Sequence, residues 1–218
     1  MEVLAIDGPA GSGKSTLAQA LAARLGMSYL DTGATFRMIA WSALRSNVNL
    51  DDEAAIVKIA ETTNIVFDTG KCAVNDFDVT QAIRVEAVSA AASRIAVHPK
   101  LREKLLHWQR AWVIQHGDSV VEGRDTTTVV FPDASLKIYL EADASVRAAR
   151  RSEATAGSTA ARDERDSKRL AAPLLKAPGS VVIDTSKLTP SQVEDRAIRA
   201  WGQRQRHNIQ VGLRAYGN

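Results

Sequence analysis

The sequence is poor in cysteine and has no long apolar segment, and each absence excludes a class of protein. Cys72 is the single cysteine, so neither a disulfide within the chain nor a cysteine metal cluster can form. We therefore expect a reducing compartment, the cytoplasm. The sequence has no run of about 18 apolar residues that could span a membrane. Because the first apolar segment begins at Val3, we expect no secretory leader.

An excess of charge of one sign is also missing. The 28 Lys and Arg residues stand against 25 Asp and Glu residues, a formal net charge of +3. So small an excess does not indicate a nucleic-acid surface, whereas it suits an anionic small substrate equally well. We expect no nucleic acid and no membrane among the partners, and we expect a monomer.

At 218 residues the chain is long enough for one α/β domain with small insertions. Short apolar runs alternate with helical periodicity, which predicts a doubly wound, five-stranded parallel sheet with helices on both faces. The predicted strands are Val3–Ile6, Ser28–Leu30, Val120–Val121, Leu136–Leu140 and Val181–Ile183.

Three further segments carry their own patterns. The span Ile65–Thr80 has strand-like pieces around two turn signals, Thr69-Gly70 and Asn75-Asp76, and predicts a small antiparallel insert. Between Ile95 and His116 an apolar stripe predicts a helix that faces the core. The basic tail from Arg196 to Arg214 predicts a C-terminal helix on the sheet. The stripe of the earlier helix consists of Leu101, Leu105, Trp108 and Trp112, and the tail has Trp201 at helical spacing from Ile198.

The stretch "IDGPAGSGKST" (Ile6–Thr16) follows the first predicted strand and has the Gly-x-x-x-x-Gly-Lys-Ser spacing of a P-loop. Its glycines let backbone N–H groups turn inward around a phosphate. Leucines then recur every four residues from Leu17 to a stop at Gly26, which predicts a helix whose positive end faces the anion. We expect Lys14 to reach the terminal phosphates of ATP and Ser15 to bind Mg²⁺. The residues expected around the ATP phosphates are Gly8, Pro9, Ala10, Gly11, Ser12, Gly13, Lys14, Ser15 and Thr16.

A P-loop alone does not separate kinases from GTPases, motor ATPases or nucleotide-binding modules. The sequence has no Asn-Lys-x-Asp motif for guanine, and no apolar run ends in the Asp-Glu pair common in motor ATPases. It does have many arginines at predicted strand ends, where ligands of a doubly wound sheet bind. Arginine forks bind phosphate bidentately, so these arginines suit two phosphorylated substrates. The stretches that contain them are "DTGATFR" (31–37), "IR" (83–84), "VEGRDTTTVVFPDA" (121–134), "RAARR" (147–151) and "ARDERDSKR" (161–169).

These stretches, together with the P-loop, a following "APL" and "VVIDTS", resemble the bacterial cytidylate (CMP/dCMP) kinases in order and over nearly the whole chain. The resemblance implies phosphoryl transfer from ATP to CMP or dCMP. It also implies a P-loop core at 1–34 and 96–218, a nucleoside-monophosphate-binding insert at 35–95 and a short lid at 150–165 within the core segment.

The resemblance implies roles for individual residues. Those expected to bind CMP are Thr32, Phe36, Arg37, Arg84, Ser93, Arg102, Arg124, Asp125, Asp166 and Arg169. Within that set, the cytosine edge is read by Ser93, Arg102 and Asp125, and the acceptor phosphate is held by Thr32, Arg37, Arg84 and Arg124. The ribose and phosphates near the lid are reached by Arg162, Asp166 and Arg169. The catalytic set consists of Lys14, Arg150, Arg151 and Arg162. The chemistry of Asp125 agrees with a preference for cytosine over uracil. A carboxylate accepts a hydrogen bond from the cytosine amine and repels the oxygen that uracil has at the same position.

The sequence departs from the family pattern in three places. Ten residues separate Arg151 from Arg162, so the lid is short, and its "SEATAGSTAA" (Ser152–Ala161) has the small, polar composition of a mobile loop. Thr126-Thr127 stands where a large apolar residue and a glycine are usual, and we expect a β-branched side chain beside the base pocket. Phe36 takes the position of a tyrosine.

Two other functions stay open at this point. Another small P-loop kinase, for a different monophosphate or for a shikimate-like acceptor, needs no cytosine reader such as the set Ser93, Arg102 and Asp125. A non-catalytic module that binds CMP and ATP is compatible with the short lid, because a short lid excludes water less completely.

Overall fold

The computed structural model describes residues 1–150 and 172–215, and the side chains up to residue 206. The strands are β1 (Val3–Asp7), β2 (Ser28–Asp31), β3 (Ile65–Asp68), β4 (Lys71–Val74), β5 (Phe77–Asp78), β6 (Ser119–Gly123), β7 (Leu136–Glu141) and β8 (Val181–Asp184). The helices are α1 (Lys14–Leu25), α2 (Thr32–Arg45), α3 (Glu53–Thr62), α4 (Glu86–Ile95), α5 (Pro99–His116), α6 (Ala144–Ala149) and α7 (Pro190–Ala215). A 3₁₀ turn at Ala82–Arg84 and a π-helical turn at Thr126–Val130 complete the ordered elements. The predicted lid, 150–165 with Ser152–Ala161, lies outside the described residues from residue 151 onward.

The central sheet has five parallel strands in the order β2-β6-β1-β7-β8, which confirms the predicted fold class. In register, Leu4 of β1 faces Val120 of β6 on one side and Leu136 of β7 on the other. All residues of β1 and β6 are buried, which explains the consecutive apolar residues in each strand, Val3–Ile6 and Val120–Val121. Because the strands are parallel, their carboxyl ends lie along one edge, where ligands bind in open α/β sheets.

Two helices show how local sequence sets the element bounds. Helix α1 lies between two capping glycines, Gly13 and Gly26, both in the left-handed region at φ 93° and 65°. The cap at Gly26 confirms the predicted stop. The predicted helix between Ile95 and His116 is confirmed except at its start, which lies four residues later than predicted. Ile95 ends α4, and α5 begins only at Pro99, because proline favours the first helical position and an extended residue before it. The stripe nonetheless faces the core, with Leu101, Leu105 and Trp112 buried and Trp108 packed against them.

The antiparallel insert is also confirmed, with β3, β4 and β5 forming a second sheet. Both predicted turns have positive φ at their central positions, 47° and 86° at Thr69-Gly70 and 46° and 68° at Asn75-Asp76. Aromatic packing attaches this sheet to the core, since Phe67 makes edge-on contacts with Tyr29 and with Trp112. The indole of Trp112 also donates to the Phe67 carbonyl at 2.9 Å.

The C-terminal tail is helical, as predicted, and α7 packs against α1, β7 and β8. Its Val193, Ala197 and Ala200 are buried in the main core. Within the described ranges, no helix combines the length and apolar character needed to cross a bilayer.

Candidate active site

The P-loop connects β1 to α1 at the carboxyl edge of the sheet. Two of its glycines have no room for a side chain: a Cβ at Gly8 would collide with the Leu140 carbonyl, and one at Gly11 would come within 2.7 Å of the Arg147 carbonyl. Gly11 also has φ 76°, which L side chains rarely adopt. At the first turn of α1 the Lys14 ammonium group donates to the Pro9 carbonyl at 3.0 Å. The loop therefore has the backbone that a phosphate cradle needs, with a cation folded over it.

Glu122 is a site residue that the sequence analysis missed. It lies near the end of β6, is 4% exposed, and accepts a 2.6 Å hydrogen bond from the Ser15 hydroxyl. Burial and the charge of Asp31 raise the pKa of Glu122, while Lys14 and the Ser15 hydroxyl act in the opposite direction. A hydroxyl and a carboxylate in contact beside a phosphate loop are the oxygen donors that Mg²⁺ prefers, so these residues fit the ion. No cluster of three or more His, Cys, Asp or Glu side chains that could hold a metal occurs in the described part of the chain.

Asp31, also missed, holds Arg37 in place. Its side chain caps α2 by accepting from the Ala34 N–H at 3.0 Å, and its other oxygen accepts from Arg37 at 2.5 Å. Both side chains are largely buried, 8% and 13% exposed. Burial alone would raise the pKa of Asp31, but the charge and hydrogen bond of Arg37 and the Ala34 N–H lower it overall. The Arg37 Nε–H is buried and has no partner among the residues that the structure describes, so it can donate to a bound anion.

A cavity of about 270 Å³ opens beside the P-loop and brings the predicted acceptor residues together. It is lined by Ala10, Gly11, Lys14 and Ser15 of the loop and by Asp31 and Glu122. The predicted CMP-binding residues that line it are Thr32, Phe36, Arg37, Arg84, Ser93, Arg102, Arg124 and Asp125. The other predicted residues of this set, Asp166 and Arg169, lie outside the described ranges, as do Arg151 and Arg162. Every predicted CMP-binding residue that is described therefore lines one cavity.

One wall of this cavity is a buried ion pair. Arg102 donates to Asp125, and the two side chains are 11% and 9% exposed. A second guanidinium N–H of Arg102 donates to the Ala96 carbonyl at 3.1 Å, and the guanidinium lies 5.4 Å from the centre of the Phe36 ring. Arg102 thus belongs to the site rather than to a solvated face of α5.

The segment after β6 is tied to the P-loop. Arg124 donates to the Gly8 carbonyl at 2.9 Å, and Thr32 donates to the Glu122 carbonyl at 2.8 Å. The expectation that Thr126-Thr127 places a side chain beside the base pocket is wrong. Both hydroxyls donate to the carboxylate of Asp7 instead, because the π-helical turn directs them inward to the end of β1.

A second cavity, of about 660 Å³, also borders the P-loop. It is lined by the loop and the start of α1, by Arg150, and by Thr185 and Leu188 after β8. Arg150 donates to the Thr185 carbonyl at 2.7 Å and to its hydroxyl at 2.9 Å. Arg147, from the same "RAARR" stretch, donates to the Ala10 carbonyl at 3.1 Å. Arg147 therefore contacts the P-loop and Arg150 contacts the segment after β8 beside it, and neither lines the first cavity.

A phosphate loop that borders two cavities, one of them rich in arginine, is the arrangement of a P-loop kinase for small molecules. The family model for cytidylate kinase matches residues 4–203. The chain belongs to the cytidylate kinase family.

Individual relatives agree with this assignment. The chain is 42% identical over 214 residues to the cytidylate kinase of Azotobacter vinelandii (strain DJ / ATCC BAA-1303), with 90% of this chain and 93% of that protein covered. It is 40% identical over 220 residues to the bifunctional pantoate ligase/cytidylate kinase of Synechococcus sp. (strain JA-3-3Ab), covering 92% of this chain and 41% of that protein. The chain therefore spans about two fifths of that bifunctional protein. A gluconokinase structure from Sinorhizobium meliloti 1021, 13% identical, matches 96% of this chain and 97% of its own with a TM-score of 0.50, which supports the fold.

Proposed function

We propose that this protein transfers the terminal phosphoryl group of ATP to CMP or dCMP, giving CDP or dCDP and ADP. Membership of the cytidylate kinase family supports this reaction. The observation that carries it is the first cavity, where four arginines and a buried carboxylate meet the P-loop lysine. Neither a shikimate-like acceptor nor a motor function explains a buried Arg102–Asp125 pair in that position.

The acceptor site divides into a phosphate end and a base end. At the phosphate end, Arg37, Arg84 and Arg124 supply forked donors for the CMP phosphate, with the Thr32 hydroxyl beside them. At the base end, Asp125 accepts from the cytosine amine and Arg102 donates to the ring nitrogen and oxygen. Ser93, 5% exposed, adds a hydroxyl on the same wall.

The donor site lies around the P-loop. The backbone N–H groups from Gly8 to Thr16 cradle the ATP phosphates, Lys14 neutralises the terminal one, and the nucleoside of ATP occupies the second cavity beside Arg150. The resemblance adds Arg151 and Arg162 to the catalytic set, and Asp166 and Arg169 to the CMP site.

Mg²⁺ is the proposed cofactor, and Ser15 with Glu122 would hold it. The ion supplies neutralisation of charge on the transferred phosphoryl group. Glu122 accepts a hydrogen bond from the Ser15 hydroxyl, so the two oxygen atoms lie 2.6 Å apart.

Transfer forms a bond between an oxygen of the CMP phosphate and the terminal phosphorus of ATP, and it breaks the bond from that phosphorus to the bridging oxygen of ADP. Such a reaction depends on positioning and on charge neutralisation more than on a general base. Lys14 and the arginines of both cavities provide these two contributions.

The wider organisation is part of the proposal. Residues 1–34 and 96–218 form the core, 35–95 the CMP-binding insert and 150–165 the lid, in a monomer of the cytoplasm. The expectation of a reducing compartment rests on Cys72 being the single cysteine of the sequence. Burial and the charge of Asp31 raise the pKa of its thiol to about 11, so the thiol stays protonated.

An ADP-release assay with ATP, Mg²⁺ and one acceptor at a time tests this function. We expect turnover with CMP and dCMP that is far faster than with UMP, AMP or shikimate. Rapid turnover with shikimate or AMP would identify a different P-loop kinase. CMP binding by calorimetry without any ADP release would identify a non-catalytic module.

A further inference from the structure

Asp7, the last residue of β1, has a buried carboxylate that the proposed mechanism does not use. It is 0% exposed and immediately precedes the first P-loop glycine. Thr126 donates to one of its oxygens through its N–H at 2.9 Å and through its hydroxyl. Thr127 donates to the other oxygen through its N–H at 2.7 Å and through its hydroxyl at 2.5 Å. Two consecutive threonines therefore supply four donors to one carboxylate.

These four hydrogen bonds offset the free-energy cost of burying the Asp7 carboxylate. In the described ranges no lysine or arginine forms an ion pair with Asp7. An ionised carboxylate without compensation is very costly to bury, and each hydrogen bond to a charged group contributes more than a neutral one. The Thr126 and Thr127 side chains, both 0% exposed, are consequently held in one arrangement.

The position of this cluster connects the two halves of the active site. Arg124 donates to the carbonyl of Gly8, and Thr126 and Thr127 donate to Asp7, so residues 124–127 are attached to two consecutive residues of the P-loop root. Asp125 lies between these attachments, and its carbonyl accepts the N–H groups of Val129 and Val130 that open the π-helical turn. The direction of the Asp125 carboxylate thus depends on both attachments.

We propose that the hydroxyls of Thr126 and Thr127 are positioning groups for substrate recognition, holding Asp125 and the P-loop in a fixed mutual register through Asp7. This inference rests on the proposed role of Asp125 in reading cytosine. Removal of the hydroxyls leaves each Asp7 oxygen with a single N–H donor. The segment then relaxes to satisfy the carboxylate, and Asp125 loses its alignment with the cytosine amine.

The test compares three variants. Thr126→Val with Thr127→Val removes both hydroxyls with little change of shape, and Thr126→Ser with Thr127→Ser keeps them. Thr128→Val is the matched control, because Thr128 lies in the same turn and its hydroxyl makes only a 3.4 Å contact with the Asp125 carbonyl. The readouts are kcat and KM for CMP and for UMP, measured well below each variant's melting temperature.

We expect the double valine variant to lose at least about tenfold in the ratio of kcat/KM for CMP over UMP, the size of one hydrogen bond to a charged group. The KM for CMP rises as part of that loss. The serine variant and Thr128→Val keep the ratio within about twofold, as substitutions away from a critical contact do. Should the double variant not fold, Thr127→Val alone carries the same expectation at a smaller size.

Three results bear differently on the proposals. A lower melting temperature with an unchanged CMP/UMP ratio would overturn the positioning role and leave the threonines as stabilising residues. A serine variant as impaired as the valine variant would overturn it too, because the hydroxyl would not be the operative group. Wild-type protein that does not prefer CMP over UMP would instead overturn the base-reading role of Asp125, and this inference with it.

Discussion

Replacing Asp125 by asparagine changes the proposed base reader by one charge while keeping its shape. The carboxylate is 9% exposed and paired with Arg102, so water cannot replace it as an acceptor for the cytosine amine. A hydrogen bond to a charged group is worth about 1.5–3 kcal/mol, so kcat/KM for CMP should fall about 10- to 100-fold. The asparagine amide can donate to the uracil oxygen, so we expect UMP to lose less than CMP or to gain.

The assay is ADP release with CMP or UMP as varied acceptor, on the wild type, Asp125→Asn and the control Asp133→Asn. Asp133 lies in the same segment but is exposed and lines neither active-site cavity. Breaking a buried ion pair can cost about 3–5 kcal/mol of stability, so melting temperatures are recorded first and kinetics are taken well below them. Equal losses for CMP and UMP in Asp125→Asn would refute the base-reading role and leave Asp125 as a structural partner of Arg102.

Three further predictions follow from single contacts. Lys14→Ala should lower kcat about 10³-fold or more with an unchanged melting temperature, because the lysine that neutralises the transferred phosphoryl group is removed. A loss of kcat below about tenfold would contradict the P-loop role of Lys14. Asp31→Asn should lower the free energy of unfolding in urea by about 3 kcal/mol or more, because it breaks the buried ion pair with Arg37. The control Asp52→Asn changes an exposed helix cap of the same kind and should cost under about 0.5 kcal/mol. Equal costs in the two variants would assign the effect to helix capping. The pKa of Glu122 is raised in the folded state, so its stabilising contribution is present below the ordinary glutamate pKa of about 4.3 and is lost as the pH rises through the folded value. The melting temperature of Glu122→Gln should therefore rise relative to that of the wild type as the pH is raised above about 4.3. A difference that stays constant with pH would contradict the raised pKa.

The main sheet and the insert could be predicted from the sequence because their signals are local. Apolar runs such as Leu136–Leu140 mark strands that are buried on both faces, and Asn75-Asp76 has the composition of a hairpin turn. The start of α5 could not be predicted from apolar periodicity, because the periodicity of α4 extends up to Ile95 and only Pro99 marks the boundary between the two helices.

The candidate site was predictable where a residue type has a chemical role of its own. Arginines at strand ends and the P-loop pattern indicated a phosphate site, and the four arginines in the described ranges that are predicted to bind CMP do line one cavity. What could not be predicted is which groups hold these residues. Glu122 and Ser15 are separated by 107 positions in the sequence, and Thr126 and Asp7 by 119, so no local sequence pattern encodes these contacts. An acidic residue ending the strand beside the P-loop strand was the available signal for Glu122.

A competition between CMP and UMP tests the proposed activity most directly. Wild-type protein is incubated with ATP, Mg²⁺ and equal concentrations of the two monophosphates, and CDP and UDP are quantified by chromatography while conversion is still small. Because both acceptors share one enzyme population, the ratio of products equals the ratio of their kcat/KM values. A site in which the Asp125 carboxylate reads the base should give CDP in at least about tenfold excess over UDP. Equal amounts of CDP and UDP, or unconsumed ATP, would contradict it.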